Sequence, residues 1–408
     1  MVVDIPATIG GVNVTHIGEQ AFVTTNITSV TIPDGVVSIG NGAFGYCAAL
    51  TSVTMPNSVT SIEDNAFYGC EVLPNITLSN QLESIGVSAF QYCYSLESIV
   101  IPNTVTSMGN AAFYWCWALE NVTLSNQLER IGDFTFELCE PMKSIVIPDS
   151  VTYIGYHAFW DCSSAKSLTL SKNLTTIDDQ AFYYLPLITS LVIPNSVTYI
   201  GEGAFMYGEA LTNLTLSDNL TYIGLSAFSQ CKSLKSVTMP KKVTSIGDYA
   251  FGYSAASIES AYFLGNAPSV WGSDVFINTA PNFTIYYLSE STGFTSPLFM
   301  GYNAVCLYLV DVASMSGGSV TANPIRAAAG STVNLTVTPD AGKSVRSLYY
   351  TDSLGTHAIS GTSFVMPANN VTIHATFGWG PIVNAFFALS YGFLFAMVIG
   401  LLLLIFRS

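Results

Sequence analysis

Seven of the chain's eight cysteines recur at a regular spacing, and their thiols are the side chains best suited to chemistry. They are Cys47, Cys70, Cys93, Cys116, Cys139, Cys162 and Cys231, whereas Cys306 stands apart. In a stacked structure this spacing allows disulfides between neighbours or, together with histidines, a metal site. No histidine stands at ligand spacing beside them, and Leu185, Gly208 and Ser254 replace cysteine at equivalent positions. We therefore predict buried free thiols and no metal, with disulfides as the alternative.

Acid–base chemistry has fewer candidates. Carboxylates are paired at Glu63 and Asp64 and at Asp178 and Asp179, and four histidines lie far apart in the sequence. Hydrolysis needs carboxyl groups that converge in a concave pocket, or a nucleophile within reach of its base. We expect a filled core to leave no pocket, and interpret the acids as exposed residues that keep the chain soluble. The sequence thus predicts no catalytic residue and no cofactor; a carbohydrate-active enzyme is the weakest alternative.

Aromatic and hydroxyl side chains are candidates for molecular contact. Tyrosine and tryptophan combine an apolar body with a polar tip and lose little entropy on binding. The candidate contact surface comprises Tyr68, Tyr92, Tyr94, Tyr114, Trp115, Trp117, Trp160, Tyr183, Tyr184, Thr54, Thr77, Thr123, Thr169 and Thr215. The rings are densest from Tyr92 to Trp117. Inward packing of the rings, and simple β-propensity of the threonines, are the alternatives.

A repeat positions all of these residues. An Ala-Phe pair or a close variant recurs along the chain, and after a first step of 22 residues every step is 23. Its phenylalanines are Phe22, Phe44, Phe67, Phe90, Phe113, Phe136, Phe159, Phe182, Phe205, Phe228 and Phe251. Between them, segments such as residues 53–56 alternate with the two-residue period of a strand. Because one repeat cannot bury its own apolar face, the pattern predicts a stacked, elongated solenoid.

The repeat also resembles a known family. From Leu50 to Cys70 it reads L-x-x-V-T-M-P-x-x-V-x-x-I-x-x-x-A-F-x-x-C, which is similar to the treponemal-type, BspA-like leucine-rich repeat. The segment from Tyr262 to Tyr302 resembles the degenerate closing repeat of that family. The resemblance implies a right-handed leucine-rich-repeat solenoid with a parallel β-sheet over residues 1–260, and a capping repeat over residues 261–307. It further implies a surface adhesin or binding protein, without naming a ligand.

Residues 308–378 lose the repeat. Residues 310–312, 333–337 and 371–375 alternate as strands and are separated by glycine-rich turns. The order G-G-S-V near Gly317, then G-S-T-V-N-L-T-V-T-P, then F-V-M-P-A-N-N-V-T-I resembles the divergent internalin-type B-repeat of secreted microbial proteins. That resemblance implies a small all-β module.

The C-terminal segment, residues 379–408, has the composition of a membrane anchor. From Ile382 to Phe406 there are 25 residues without a charge. As a helix this segment would be about 37 Å long, enough to cross a hydrocarbon core of about 30 Å. Arg407 is the nearest basic residue, so the positive-inside rule predicts one transmembrane helix with a minimal cytoplasmic tail and the repeats outside.

Export is the difficulty with a cell-surface location. The repeat follows Met1 directly, and no apolar leader precedes it. We expect that a signal peptide was removed or missed, and a cytosolic tail-anchored protein is the alternative.

Composition limits the partners. The net charge is −15, and the chain has only 12 lysines and arginines. Nucleic-acid binding needs clustered cations and is therefore excluded. The remaining partners are the membrane, a protein or glycan ligand, or copies of the chain itself. We predict a membrane-anchored cell-surface protein that binds or adheres through its repeats; a structural tile of a cell-surface or envelope coat, assembling side by side, is the alternative.

Overall fold

The computed structural model describes residues 1–379, which divide into two units. The first contains Met1–Ile285, Thr292–Phe294 and Phe299–Asn303. The second contains Tyr286–Ser291, Thr295–Leu298 and the described residues from Ala304 to Trp379. The predicted transmembrane segment from Ile382 to Phe406 lies outside the described residues. Within the described part of the chain, no helix is long and apolar enough to span a membrane.

The first unit is a parallel-sheet solenoid of about 13 turns, and most turns carry two short strands. The first strand row consists of Val2–Asp4, Ser29–Thr31, Ser52–Thr54, Ser98–Val100, Asn121–Thr123, Ser144–Val146, Ser167–Thr169, Ser190–Val192, Asn213–Thr215, Ser236–Met239 and Ser260–Phe263. The second strand row consists of His16–Ile17, Ser38–Ile39, Ser61–Ile62, Ser84–Ile85, Ser107–Met108, Arg130–Ile131, Tyr153–Ile154, Thr176–Ile177, Tyr199–Ile200, Tyr222–Ile223, Ser245–Ile246 and Val270–Trp271.

Pairing between turns follows the sequence period. Ser144 pairs with Ser167 and Tyr153 with Thr176, in parallel and 23 residues apart in each row. At the N-terminus Thr8–Ile9 and Val12–Asn13 form an antiparallel hairpin instead. The period that the sequence shows is therefore the number of residues in one turn.

The core of this unit is a stack of phenylalanine rings, the Phe stack, formed by the repeat phenylalanines and by Phe276. Successive centroids from Phe22 to Phe276 lie 5.2 to 5.5 Å apart. The backbones are packed closely as well: a Cβ added to Gly109 would lie 2.4 Å from the Val87 nitrogen on the preceding turn. Ring stacking and glycine at such contacts together set how closely the turns can approach.

The second unit is all β. Three strands, Thr284–Leu288, Leu298–Phe299 and Tyr302–Val312, contain residues of both units. The strands that follow them are Gly318–Asn323, Arg326–Ala328, Thr332–Pro339, Lys343–Asp352, Gly355–Ala358, Ser363–Val365 and Val371–Trp379. Lys343–Asp352 forms a hairpin with Gly355–Ala358 and pairs antiparallel with Val371–Trp379. Val333, Leu335 and Ile373 belong to its buried core. The three strands predicted from the sequence are confirmed.

Candidate contact surface on the turns

After each core phenylalanine the chain turns sharply, and the second residue past the phenylalanine has a positive φ. Aromatic residues in this conformation are Tyr46, Tyr92, Trp115, Tyr184, Tyr207 and Tyr253. Gly69 holds the same place in another turn, with φ of 67°. Backbone hydrogen bonds between turns impose the conformation: the Tyr92 N–H donates to the Tyr114 carbonyl at 3.0 Å, and the Trp115 N–H donates to the Glu137 carbonyl at 2.9 Å. Since glycine alone adopts this region freely, each such ring sits where the backbone costs about 1 to 3 kcal/mol.

All of these rings except Tyr253 form, with their neighbours, a connected surface, which we call the aromatic strip. Its members are Tyr46, Tyr68, Tyr92, Tyr94, Tyr114, Trp115, Trp117, Phe134, Tyr156, His157, Trp160, Tyr183, Tyr184 and Tyr207. Centroids of Tyr92 and Trp115 lie 5.3 Å apart, and those of Tyr94 and Trp117 lie 5.0 Å apart. Most of the pairs are tilted or edge-to-face, as aromatic pairs prefer. All nine rings named from the sequence are members of the strip.

The strip is distinct from the core. The Phe stack is buried from Phe44 to Phe276, whereas Tyr46 is 57% exposed, Trp117 51% and Tyr184 39%. Tyr156 is also exposed, at 37%, and the other members of the strip are half-buried. The rings thus pack on one another beside the core and still present part of their surface to solvent.

Five members of the strip lie outside the contact surface predicted from the sequence: Tyr46, Phe134, Tyr156, His157 and Tyr207. Phe134 and His157 stand two residues before a core phenylalanine, a position that also has a positive φ, at 58° and 56°. The signal was available, because this position recurs every 23 residues just as the core does. Phe134, Tyr156 and His157 were omitted because the prediction considered only the residues that follow each phenylalanine.

His157 joins three turns at the centre of the strip. Its ring stacks on Tyr156 with centroids 3.9 Å apart. Its Nδ1 lies 3.2 Å from a Glu137 carboxylate oxygen, and its Nε2 lies 2.9 Å from the Gln180 side-chain oxygen. The side chains of His157 and Glu137 are only 15% and 10% exposed. This network fixes the rings around it and resembles a structural bridge more than a reactive site.

The five predicted threonines lie on a second surface. Thr54, Thr77, Thr123, Thr169 and Thr215 are all exposed; four lie in strands of the first row, and Thr77 lies on a turn where only Asn75 bridges to Ser98. Val100, Val146 and Val192 lie at equivalent positions on other turns and are 59 to 63% exposed. Around Thr169, Val192 and Thr215 the surface forms a groove of about 760 Å³. The structure therefore gathers the aromatic members into one surface and the threonines into another.

The prediction that a filled core leaves no concavity was wrong. Besides that groove, Glu63 and Asp64 border a hollow of about 310 Å³ on the second strand row. Their carboxylates are not merely solvated acids, because Glu63 accepts from the Asn41 N–H at 3.1 Å and Asp64 from the Val87 N–H at 2.7 Å. Asp179 likewise accepts from the Glu202 N–H at 2.6 Å. These acids therefore link neighbouring turns. The sequence interpretation, which treated them only as exposed residues that keep the chain soluble, did not predict this role.

The cysteine column has a structural role. All seven of its members are buried, and each thiol donates to the carbonyl of a core phenylalanine on the preceding turn, as Cys93 does to Phe67 at 3.3 Å. Burial raises the pKa of Cys93 to about 12. A thiol that stays protonated is a poor nucleophile and a poor metal ligand. Among residues 1–379, no group of three histidine, cysteine or acidic side chains is arranged to hold a metal ion.

Gly208 stands in the cysteine column and leaves a cavity of about 10 Å³ beside Phe182 and Leu185. A Cβ at Gly208 would meet the Cys231 sulfur and the Phe205 carbonyl oxygen at 3.4 Å, an ordinary contact. We expect Gly208→Cys to raise the free energy of unfolding by about 1 kcal/mol, because it restricts the unfolded chain and offers the Phe182 carbonyl a donor. Denaturant unfolding measures the change. Gly208→Ala isolates the backbone contribution, and destabilisation by both variants would show that the site has no room for a side chain.

Comparison with known proteins agrees with this architecture. Residues 15–143 and 129–258 match the BspA type leucine-rich repeat region, in six copies, and residues 308–379 match the divergent InlB B-repeat domain. A crystal structure of a leucine-rich repeat protein from Bacteroides ovatus is 26% identical and covers 75% of this chain and 92% of its own, with a TM-score of 0.50. A leucine-rich cell surface protein from Faecalibacterium prausnitzii is 27% identical, covers 67% of this chain and 89% of its own, and has a TM-score of 0.39. No curated protein matches.

The family model matches more than half of the chain. The match agrees with the 23-residue turn, the two parallel strand rows and the Phe stack. The chain belongs to the BspA-type leucine-rich repeat family.

Proposed function

We propose that this protein is a membrane-anchored cell-surface protein that binds a macromolecule on another surface through its aromatic strip. The observation that carries the proposal is a continuous set of rings that the core does not use, several of them at strained backbone positions. Contiguous exposed apolar surface marks interaction sites, and tyrosine and tryptophan are the side chains most enriched in binding hot spots. Proteins built from such repeats serve protein interaction and adhesion, which is the role that the family suggests.

The proposed location rests on residues 382–406 and on Arg407. The charge-free segment would cross the membrane once, with the repeats outside. Protease added to intact cells should then remove the repeats and leave the anchor behind. If the repeats resist until the membrane is permeabilised, the cytosolic tail-anchored alternative is correct.

A coat tile is the second candidate, and the first strand row favours it. Its alternating threonines and valines form a regular neutral surface that could pack against the same surface of a sister molecule. The two candidates are distinguished by purifying the full chain in detergent, exchanging the detergent for lipid, and imaging the particles by electron microscopy. Two-dimensional sheets or filaments would favour the coat, and separate particles that retain ligand binding would favour adhesion.

The role of the strip is tested by removing rings at positions that accept glycine. Tyr92→Gly with Trp115→Gly deletes two central rings without changing charge, and Gly69 shows that glycine occupies this turn position. We expect binding of the full chain to arrays of matrix proteins and microbial or host glycans to fall about tenfold or more. Val146→Thr, which changes an exposed residue of the first strand row, is the control. Equal binding by wild type and the double-glycine variant would contradict the proposal.

A further inference from the structure

The aromatic strip has an unusual charge distribution. The turn segments that carry it extend from two residues before each core phenylalanine to five residues after it. In the eight such segments between Gly42 and Ala210 there is no lysine and no arginine. The same segments contain five carboxylates, which are Glu71, Glu137, Glu140, Asp161 and Glu209. Lys232, in the equivalent segment of the next turn, pairs with Glu209 at 2.6 Å, and other cations lie elsewhere on the solenoid, such as Lys172, which pairs with Asp149 at 3.0 Å.

The carboxylates lie among the rings. Burial raises the pKa of the Tyr94 and Tyr114 phenols, and the nearby charges of Glu71 and Glu137 raise it further. Asp161 lies between the strip members Trp160 and Tyr183: it follows Trp160 in sequence, and its N–H donates to the Tyr183 carbonyl at 2.9 Å. The strip therefore combines ring faces with negative charge along its length.

Asp161 adds an independent observation. Its Oδ1 is buried and has no hydrogen-bond partner. Burial raises the pKa of this carboxyl, and a hydrogen bond from Ser163 lowers it only in part. A buried acceptor without a donor costs free energy that a bound donor would recover.

We propose that the aromatic strip binds a cationic segment of a partner polypeptide, rich in arginine and lysine. This inference rests on the proposed function of the strip and names its ligand class. Guanidinium groups stack on tryptophan and tyrosine faces and donate up to five hydrogen bonds, so they use both the rings and the carboxylates. A neutral glycan would use the rings alone, and an anionic ligand would be repelled by carboxylates such as Glu71 and Asp161, which have no lysine or arginine partner in the described structure.

Binding of fluorescein-labelled octa-arginine to the full chain in detergent, at about 0.15 M salt, tests the inference. Octa-glutamate and chitohexaose serve as the anionic and the neutral probe. One variant, Tyr92→Gly with Trp115→Gly, removes rings and no charge. A second, Glu71→Gln with Asp161→Asn, removes two charges from the strip. The matched control, Glu97→Gln with Glu129→Gln, removes two charges from exposed residues outside it.

We expect octa-arginine to bind, each strip variant to weaken binding about fivefold or more, and the control to stay within about twofold of wild type. Equal weakening by the control, or no effect of removing the rings, would show diffuse electrostatic attraction and overturn the inference. Ring-dependent binding of chitohexaose without binding of octa-arginine would also overturn it, while leaving the strip as a contact surface. If no probe binds and the double-glycine variant behaves as wild type on the arrays, the proposed function fails as well.

Discussion

Replacing Phe136 by alanine is expected to lower the free energy of unfolding of the repeat unit by about 3 to 5 kcal/mol. The Phe136 ring is fully buried, and its centroid lies 5.4 Å from that of Phe113 and 5.2 Å from that of Phe159. Deleting it opens a cavity between two turns that neither neighbour can fill, because their own rings are held by the next members of the Phe stack. In a solenoid each turn is stabilised by its neighbours, so a central defect weakens both sides. Denaturant unfolding followed by circular dichroism measures the loss.

Phe134→Gly is the matched control, two residues earlier in the chain. Phe134 belongs to the aromatic strip, is half-buried and has a φ of 58°. Glycine removes its ring contacts but relieves the backbone, so we expect a change within about 1 kcal/mol. Losses of equal size at both positions would contradict the distinction between core and strip.

Alkaline pH is expected to destabilise the repeats steeply, because the cysteine column can ionise only when it unfolds. Burial raises the pKa of Cys93 and of Cys231 from 9.0 to about 12. A pKa that is higher in the folded state favours folding fully below pH 9, and this contribution is lost as the pH rises towards 12. Within that window each of these two thiols costs up to about 1.4 kcal/mol per pH unit, and burial raises the pKa of the other five thiols of the column as well. Unfolding free energies measured from pH 8 to pH 11 would show the slope.

Cys93→Ala with Cys231→Ala should make that slope shallower by the share of two thiols, even if the variant is less stable at pH 8. A slope that does not change would mean that ionisation of these thiols is not linked to unfolding.

Thiol titration of the denatured, unreduced chain should find close to eight groups, one for each free cysteine. Two or fewer would show that the column is paired in disulfides.

The repeat unit could be predicted largely from the spacing of its phenylalanines. A phenylalanine such as Phe113 recurs every 23 residues, and the apolar face of each repeat is buried only when the repeats stack. The strands of the second unit followed from simple alternation. Both features depend on local periodicity, which one sequence displays directly.

The backbone of the strip could not be predicted in this way. A positive φ is expected at glycine or asparagine, and nothing about Tyr92 or Trp115 signals it. The conformation is imposed by hydrogen bonds that these residues donate to carbonyls of the next turn, about 22 positions away in the sequence. The role of Asp64 could not be predicted either, because its carboxylate accepts a hydrogen bond from a backbone N–H of the following turn. Contacts of this kind depend on how the turns stack, so they become visible only in the structure.

Hydroxyl-radical footprinting tests most directly whether the aromatic strip is the contact surface. The full chain is compared free and bound to whichever matrix protein or glycan of the arrays it binds. Trp117 and Tyr184 report on the strip, and Tyr262, which is 37% exposed on the first strand row, reports on the other surface. We expect oxidation of Trp117 and Tyr184 to fall several-fold on binding while oxidation of Tyr262 stays unchanged. Protection of Tyr262 with Trp117 and Tyr184 still fully reactive would contradict the account and identify the strand row as the surface that binds.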